Sequence, residues 1–224
     1  MSKNVISTCL FGSNQKAYNR YAVNAPNSAL FCKEYLPDWI FRLYYDKTVN
    51  KNILHKLDEI GNVELIEMPV SKGREGCFWR FLAFDDADIT ICRDLDWKMQ
   101  KNDLLCIDRF LSSSSIIHFL WVAHARKMSK TKRYYMAGCV GVKNFPFSVS
   151  SLIDTYADDK SIFGADEWFL GNYLVPKVLT IQDKIPLYIE PQPKYVPFGK
   201  TKEYIEIFPE IEDYYYLPEN YHDI

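Results

Sequence analysis

Short apolar runs alternate along the chain with stretches whose apolar residues return every three or four positions. Asn4 to Phe11 is an apolar run that ends at Gly12-Ser13-Asn14, which reads as a strand closed by a turn. A helix is expected from about Gln15 to Tyr35, stopped by Pro37. Trp39 to Tyr45 alternates bulky residues and reads as a second strand. Asn50 to Ile60 carries Ile53, Leu54, Leu57 and Ile60 on one helical face, with Gly61 as its stop. Val63 to Met68 is a third strand. The order strand, helix, strand, helix, strand predicts an α/β fold built on a mainly parallel sheet.

The second half repeats this theme less regularly. A short helix is expected at Cys77 to Phe84, then a strand at Asp88 to Arg93 that runs straight into Asp94-Leu95-Asp96. Lys101 to Ser112 reads as a helix, Ile116 to Val122 as a strand, and Tyr134 to Val142 as a glycine-punctuated strand pair or loop. Phe147 to Tyr156 and Asp166 to Leu174 read as helices. Prolines at positions 186, 191, 193 and 197 forbid a continuous helix or a central strand there. Residues 1–199 are taken as one catalytic-sized domain, and the acidic, aromatic stretch 200–224 as a tail or a linker to further domains.

Composition narrows the function classes. With 224 residues the chain can bury one sizeable core, and 48% hydrophobic with 25% charged residues is ordinary for a globular protein. A net charge of -2 offers no electrostatic footprint for nucleic acid or for an acidic membrane surface. The apolar stretch Ile116 to Ala125 is too short to span a bilayer. The six cysteines show no C-x-x-C spacing and several lie in apolar runs, so free thiols in a reducing, cytoplasmic setting are expected.

Chemistry concentrates at Asp94-Leu95-Asp96. An apolar strand delivers two carboxylates to its C-terminal end, where open α/β sheets place ligands. One intervening residue lets a bend turn both toward a common cation, with Leu95 pointing back into the core. Hard divalent ions such as Mg²⁺ or Mn²⁺ take such oxygens and complete their shell with substrate phosphates. A cap or a surface turn would also account for two aspartates here. The nearby Asp85-Asp86-Ala87-Asp88 precedes the strand and reads as a turn at the opposite edge of the sheet.

Several segments taken together resemble a group of small GT-A glycosyltransferases found in bacterial polysaccharide clusters and large algal DNA viruses. They are Cys9-Leu10-Phe11-Gly12, Tyr18-Asn19, Pro37-Asp38-Trp39, Phe78-Trp79-Arg80-Phe81-Leu82, Arg93-Asp94-Leu95-Asp96, His118, Gly138-Cys139-Val140-Gly141 and Gly164-Ala165-Asp166-Glu167-Trp168-Phe169-Leu170. The resemblance covers roughly residues 4 to 176. It implies a GT-A-like (Rossmann-like) mixed, mainly parallel sheet with helices on both faces, a nucleotide-sugar donor of the UDP type and a glycan acceptor. Thr8, Leu10, Phe11 and Gly12 would lie under the nucleoside. Asp94 would sit beside the ribose and the metal, and Asp96 would be the firmer metal ligand. Arg80 would contact the sugar or the diphosphate, and Gly138 and Gly141 would let backbone approach the donor sugar. Asp166 and Glu167 would face the donor sugar or the acceptor hydroxyl; helix N-termini favour acidic residues whatever the function.

Two departures from the resemblance stand out. Relatives often carry a His-Asp pair late in the domain, where this chain has Gln182-Asp183, so the third metal ligand is open among Gln182, Asp183 and water. Relatives tend to have charged residues after His118, where this chain has Phe119-Leu120-Trp121-Val122. Two rival functions stay open. A haloacid-dehalogenase-like phosphatase also places D-x-D after a strand, and a degenerate domain could bind a nucleotide-sugar or glycan without transferring it.

Overall fold

The computed structural model describes residues 2–12, 18–96, 98–99, 101–112, 116–119, 137–174, 177 and 187–189. Its elements run β1 (Asn4–Leu10), α1 (Tyr18–Tyr35), β2 (Trp39–Asp46), α2 (Lys51–Ile60), β3 (Val63–Met68), a 3₁₀ segment (Glu75–Asp85), β4 (Ile89–Arg93), α3 (Lys101–Ser112), β5 (Ile117–Phe119), β6 (Cys139–Lys143), α4 (Val149–Thr155), α5 (Ala165–Phe169) and β7 (Leu187–Ile189). The seven strands form one sheet in the order β3-β2-β1-β4-β6-β5-β7. β1 pairs in parallel with β2 and β4, β2 with β3, and β5 with β7; β6 alone runs against its neighbours β4 and β5. This is the mixed, mainly parallel sheet expected of the sequence.

Helical segments cover both faces, and the period of two along each strand decides which residue meets which layer. On one face Ile6, Phe41, Leu43 and Ile91 pack against Ala22, Ala25 and Ala29 of α1, Leu57 of α2 and Phe110 of α3. Their sequence neighbours Val5, Tyr44 and Cys92 point the other way, toward the 3₁₀ segment, α4 and α5. Asn50 caps α2 by accepting from the Asn52 amide at 2.9 Å, and Gly61 ends it at a φ of 74°.

The largest local departure from expectation is the 3₁₀ segment. Eleven residues is long for this conformation, which rarely persists beyond about four. Its sequence explains it. Phe78, Phe81 and Phe84 recur every three residues, and a three-residue turn stacks them on one buried row. They meet Phe169 and Tyr156, with Phe78–Phe169, Phe81–Phe169 and Tyr156–Phe169 centroids at 5.5, 5.9 and 5.2 Å. An α-helical twist would swing Phe84 off that row.

Other boundaries moved by a few residues. α4 is shorter than expected, and α5 stops at Phe169 and passes into a π-helical turn, Leu170–Leu174. Of the region 134–142, residues 139–142 belong to β6, and 134–136 lie outside the described residues. β7, between Pro186 and Pro191, is a short strand at the sheet's edge, where proline is tolerated. Residues 120–136, Gln182, Asp183 and the tail 200–224 lie outside the described residues, as does the side chain of His118. Among the described residues no helix is long and apolar enough to cross a membrane. All six cysteines are free thiols.

Candidate functional site

Asp94-Leu95-Asp96 forms a turn at the C-terminal end of β4, beside the end of β1. Leu95 is 2% exposed and plugs the core, so its two neighbours are turned outward, each half-buried. α1 holds this turn from below. Asn24 donates from Nδ2 to the Leu95 carbonyl at 2.9 Å, and the Ser28 hydroxyl accepts from the Met99 amide at 3.3 Å. The small residues Ala22, Ala25 and Ala29 let α1 approach closely enough for those bonds, and α1 stays helical through Pro26.

Across the turn, the antiparallel register pairs Arg93 with Cys139, so Asp94, just after β4, meets the residue before β6. That residue is Gly138. A Cβ there would stand 2.1 Å from Oδ2 of Asp94, so any side chain at this position would force the carboxylate to shift. Arg93 fixes the Gly138 backbone, donating from Nη1 to its carbonyl at 3.2 Å while Nη2 pairs with Asp103 at 3.2 Å. Gly141 has a different task from the one expected of it. Its missing Cβ makes room for the Phe110 ring, which would otherwise lie 2.7 Å away, so it serves packing of α3 on the sheet.

Arg80 links the distant parts. It is 2% exposed, and its Nη1 and Nη2 ion-pair with Oδ1 of Asp94 and Oδ2 of Asp166 respectively. Its backbone carbonyl is tied to the sheet by the Ser7 hydroxyl at 2.6 Å. Burial by itself would lower the pKa of this guanidinium; Asp94 and Asp166 reverse that and push it well above its ordinary value. The Nε of Arg80 is buried without a hydrogen-bond partner. Its Cζ also lies 5.6 Å from the centroid of the Phe81 ring, a contact made in the interior.

Asp166 enters from the opposite side, on the first turn of α5, and is 9% exposed. Gly164 directs it inward through a left-handed turn at φ 77°, and Phe169, locked in the aromatic row, keeps α5 against the 3₁₀ segment. Glu167, its neighbour, is half-buried.

The β1 end supplies the floor. Thr8 and Leu10 point into the α1–α3 side of the core, and the Thr8 hydroxyl is buried with no partner. Gly12 turns the chain at φ 66°. Phe11 is half-buried and lies over Gly76, where a Cβ would stand 2.5 Å from the ring, and it meets Trp79 edge-on at 5.5 Å. Burial pushes the Cys9 thiol up to about 12, and Cys77 well above its ordinary value, so both are neutral thiols at pH 7.

Sequence reasoning missed Tyr21, Asn24, Ser28 and Gly76. Asn24 and Ser28 are four apart on an otherwise apolar helix face, a signal that polar groups there have a partner to satisfy. Burial, followed by the negative charges of Asp96 and Asp94, pushes Tyr21 up to about 12. The same two carboxylates bear on Cys139, which burial chiefly raises to about 11.

Among the described residues no group of three or more His, Cys, Asp or Glu side chains could enclose a metal ion. Two carboxylates nonetheless suit Mg²⁺ or Mn²⁺ in a nucleotide site, because such ions keep waters and take substrate phosphates as further ligands. Arg80 pairs with Oδ1 of Asp94, while Oδ2 lies against Gly138.

No protein-family model and no curated protein sequence matches this chain. Solved structures do. The mannosyltransferase PcManGT from Pyrobaculum calidifontis, in complex with GDP-Man and Mn²⁺, matches with a TM-score of 0.51 at 12% identity, over 92% of this chain and 61% of that one. TarS of S. aureus in complex with UDP-GlcNAc matches with a TM-score of 0.50 at 14% identity, over 88% of this chain and 62% of that one. The 4-diphosphocytidyl-2C-methyl-D-erythritol synthase of Anaerococcus prevotii matches with a TM-score of 0.53 at 10% identity, over 94% of this chain and 97% of that one. The fold is GT-A-like. Against the two sugar-nucleotide complexes this chain spans less than two thirds of the matched length, and at these identities the likeness concerns the fold alone.

Proposed function

We propose that this chain is a metal-dependent glycosyltransferase that moves a sugar from a nucleoside-diphosphate donor, of the UDP type, to a hydroxyl of a glycan. The observation that carries this reading is the fork of Arg80, which joins the first aspartate of the D-x-D turn to Asp166 across the mouth of the sheet. One guanidinium thereby fixes the distance between a phosphate-end carboxylate and a sugar-end carboxylate.

In this reading Phe11 and Gly12 form the nucleoside floor, while Asp94 and Asp96 hold Mn²⁺ or Mg²⁺. Bound there, the ion would offset the negative charge that builds on the diphosphate as it leaves. The bond from the anomeric carbon to the diphosphate oxygen breaks, and a bond to the acceptor oxygen forms. The acceptor's proton passes to a base, and UDP departs with the bonding pair. Asp166 is held through Oδ2 by Arg80 and keeps Oδ1 for the sugar or the acceptor hydroxyl, as base, nucleophile or cation stabiliser. Glu167 is the second carboxylate within reach of that role. Arg80, with both Nη groups engaged, acts as a positioning residue.

A second reading, nucleotidyl transfer, draws on the cytidylyltransferase-type structure that this chain matches over nearly its full length. One assay separates the two. The protein is incubated with Mn²⁺ and either UDP-sugars or CTP and UTP with sugar phosphates, and products are resolved chromatographically. Release of UDP supports glycosyl transfer, and release of pyrophosphate supports the alternative. Phosphate released from an aryl phosphate would point to a phosphatase, and nucleotide binding without any product to a binding domain. Asp96→Ala is expected to cut metal-dependent UDP release by at least about a hundredfold with an unchanged circular dichroism spectrum; full activity in that variant removes Asp96 from the metal site.

A further inference from the structure

Among the described residues, two exposed large apolar side chains lie on the loop that leads into the site. Phe163 is 55% exposed and Ile162 51%, both on the loop that leads into Asp166. Gly164 separates the two environments: its left-handed turn sends Asp166 inward to Arg80 and leaves Phe163 outside. An exposed loop phenylalanine is ordinarily free to collapse onto the surface, but this one is held. Arg74 lies over its ring, with Cζ 4.6 Å from the centroid. The two loops also touch behind it, since a Cβ on Gly73 would stand 3.3 Å from Cβ of Ser161.

The loop carrying Arg74 is itself anchored. The Ser71 amide donates to Oδ2 of Asp46 at the end of β2 at 3.3 Å, and the Ser71 hydroxyl accepts from the Gly76 amide at 2.8 Å. Gly76 in turn lies under Phe11. An aromatic ring with a guanidinium over one face therefore stands three residues before the carboxylate assigned to the sugar end of the site.

We propose that Phe163, with Arg74 and Ile162 beside it, is the platform on which the acceptor's terminal pyranose lies. A pyranose ring presents a face of C–H bonds whose partial positive charge suits the negative face of a phenyl ring, while its hydroxyls point outward at the rim. Arg74 has donors for those hydroxyls. The pairing of an apolar face with convergent polar groups is the usual composition of a small-ligand subsite. This inference rests on the glycosyltransferase reading for the identity of the occupant, but its own test does not need turnover.

Saturation-transfer NMR is measured with methyl β-D-glucopyranoside, methyl β-D-galactopyranoside and methyl α-D-mannopyranoside, with and without UDP and Mn²⁺. Native protein, Phe163→Ala and Phe163→Trp are compared, and UDP affinity is measured by calorimetry in each. At least one pyranoside should receive saturation through its ring C–H protons. Phe163→Ala should weaken that signal about threefold or more, and Phe163→Trp should restore it. Arg74→Ala should weaken it less. Equal signals in native protein and Phe163→Ala, or no pyranoside signal in native protein, overturn the platform. Failure of native protein to bind UDP strikes instead at the proposed function and leaves the Phe163 result to be read by itself. Because Phe163 is more than half exposed, its replacement is not expected to disturb folding, and a circular dichroism melt checks this.

Discussion

Arg42 and Arg80 are both buried on the same side of the sheet, each paired with two carboxylates, yet they serve opposite ends of it. Arg42 projects from β2 toward the starts of the strands. It pairs with Glu64 at 2.6 Å and with Asp86 at 2.6 and 2.9 Å, and its Nη1 also reaches the Tyr44 hydroxyl at 3.3 Å. Lys3 adds a second cation to Asp86 at 2.8 Å. Asp85 and Asp88 there accept from the backbone amides of Val149, Ser150 and Lys3. Every polar group in that cluster has a structural task. Arg80 sits at the ends of the strands, its Nε lacks a partner, and the carboxylates it joins stand at the mouth of the sheet. Two acidic clusters nearly adjacent in sequence thus separate into a scaffold end and the end to which the proposed chemistry is assigned.

The partners' exposure turns this contrast into numbers. Side chains of Glu64 and Asp86 are 37% and 50% exposed, so water can solvate them when Arg42 is removed. That of Asp166 is 12% exposed, and loss of Arg80 would strand its charge. Arg80→Met is therefore expected to cost about 3–5 kcal/mol of stability, as breaking a buried pair does. Arg42→Met should change stability by about 1 kcal/mol or less, since solvated partners gain little from their pairs. Urea unfolding of the two variants checks this, and equal losses would abolish the distinction.

Smaller effects sharpen it at each end. Gly138→Ala should weaken Mn²⁺ affinity by about 10–100-fold by displacing the Asp94 carboxylate, while Gly61→Ala, remote from the site, should leave Mn²⁺ affinity unchanged. Asp166→Asn should lower kcat about a hundredfold or more with little change in donor Kd, and a Kd change as large as the kcat change would make Asp166 a binding residue. Acid titration addresses the scaffold end. Burial alone would raise the Asp86 carboxyl, but hydrogen bonds from Arg42 and Lys3 win and hold it below its ordinary value. A depressed folded-state pKa gives stability that is present above the unfolded-state value and lost as pH falls through the folded one. Asp86→Asn should therefore flatten the loss of stability below the ordinary carboxylate range, and an unchanged acid profile would contradict it.

The same two clusters show how far the chain could be read directly. The edge assignment of Asp85 to Asp88 was legible, because those residues precede an apolar strand while Asp94 and Asp96 follow it. The 3₁₀ geometry was legible too, in the three-residue recurrence of Phe78, Phe81 and Phe84, but a helical period was read in its place. The bond from Asn24 to the Leu95 carbonyl, 71 residues away, left only an indirect trace as a polar residue on an apolar face.

By itself the sequence determined the α/β alternation, the strand that ends in two carboxylates and the inward turn of Leu95. These follow from hydrophobic period and turn chemistry, which act over a few neighbouring residues. Only the tertiary structure decided that β6 runs against β4, which sets Gly138 opposite Asp94, and that Arg80 spans from Asp94 to Asp166. Register and ion pairing between distant segments depend on how whole layers pack, and no local pattern encodes which of several arginines will face which aspartates.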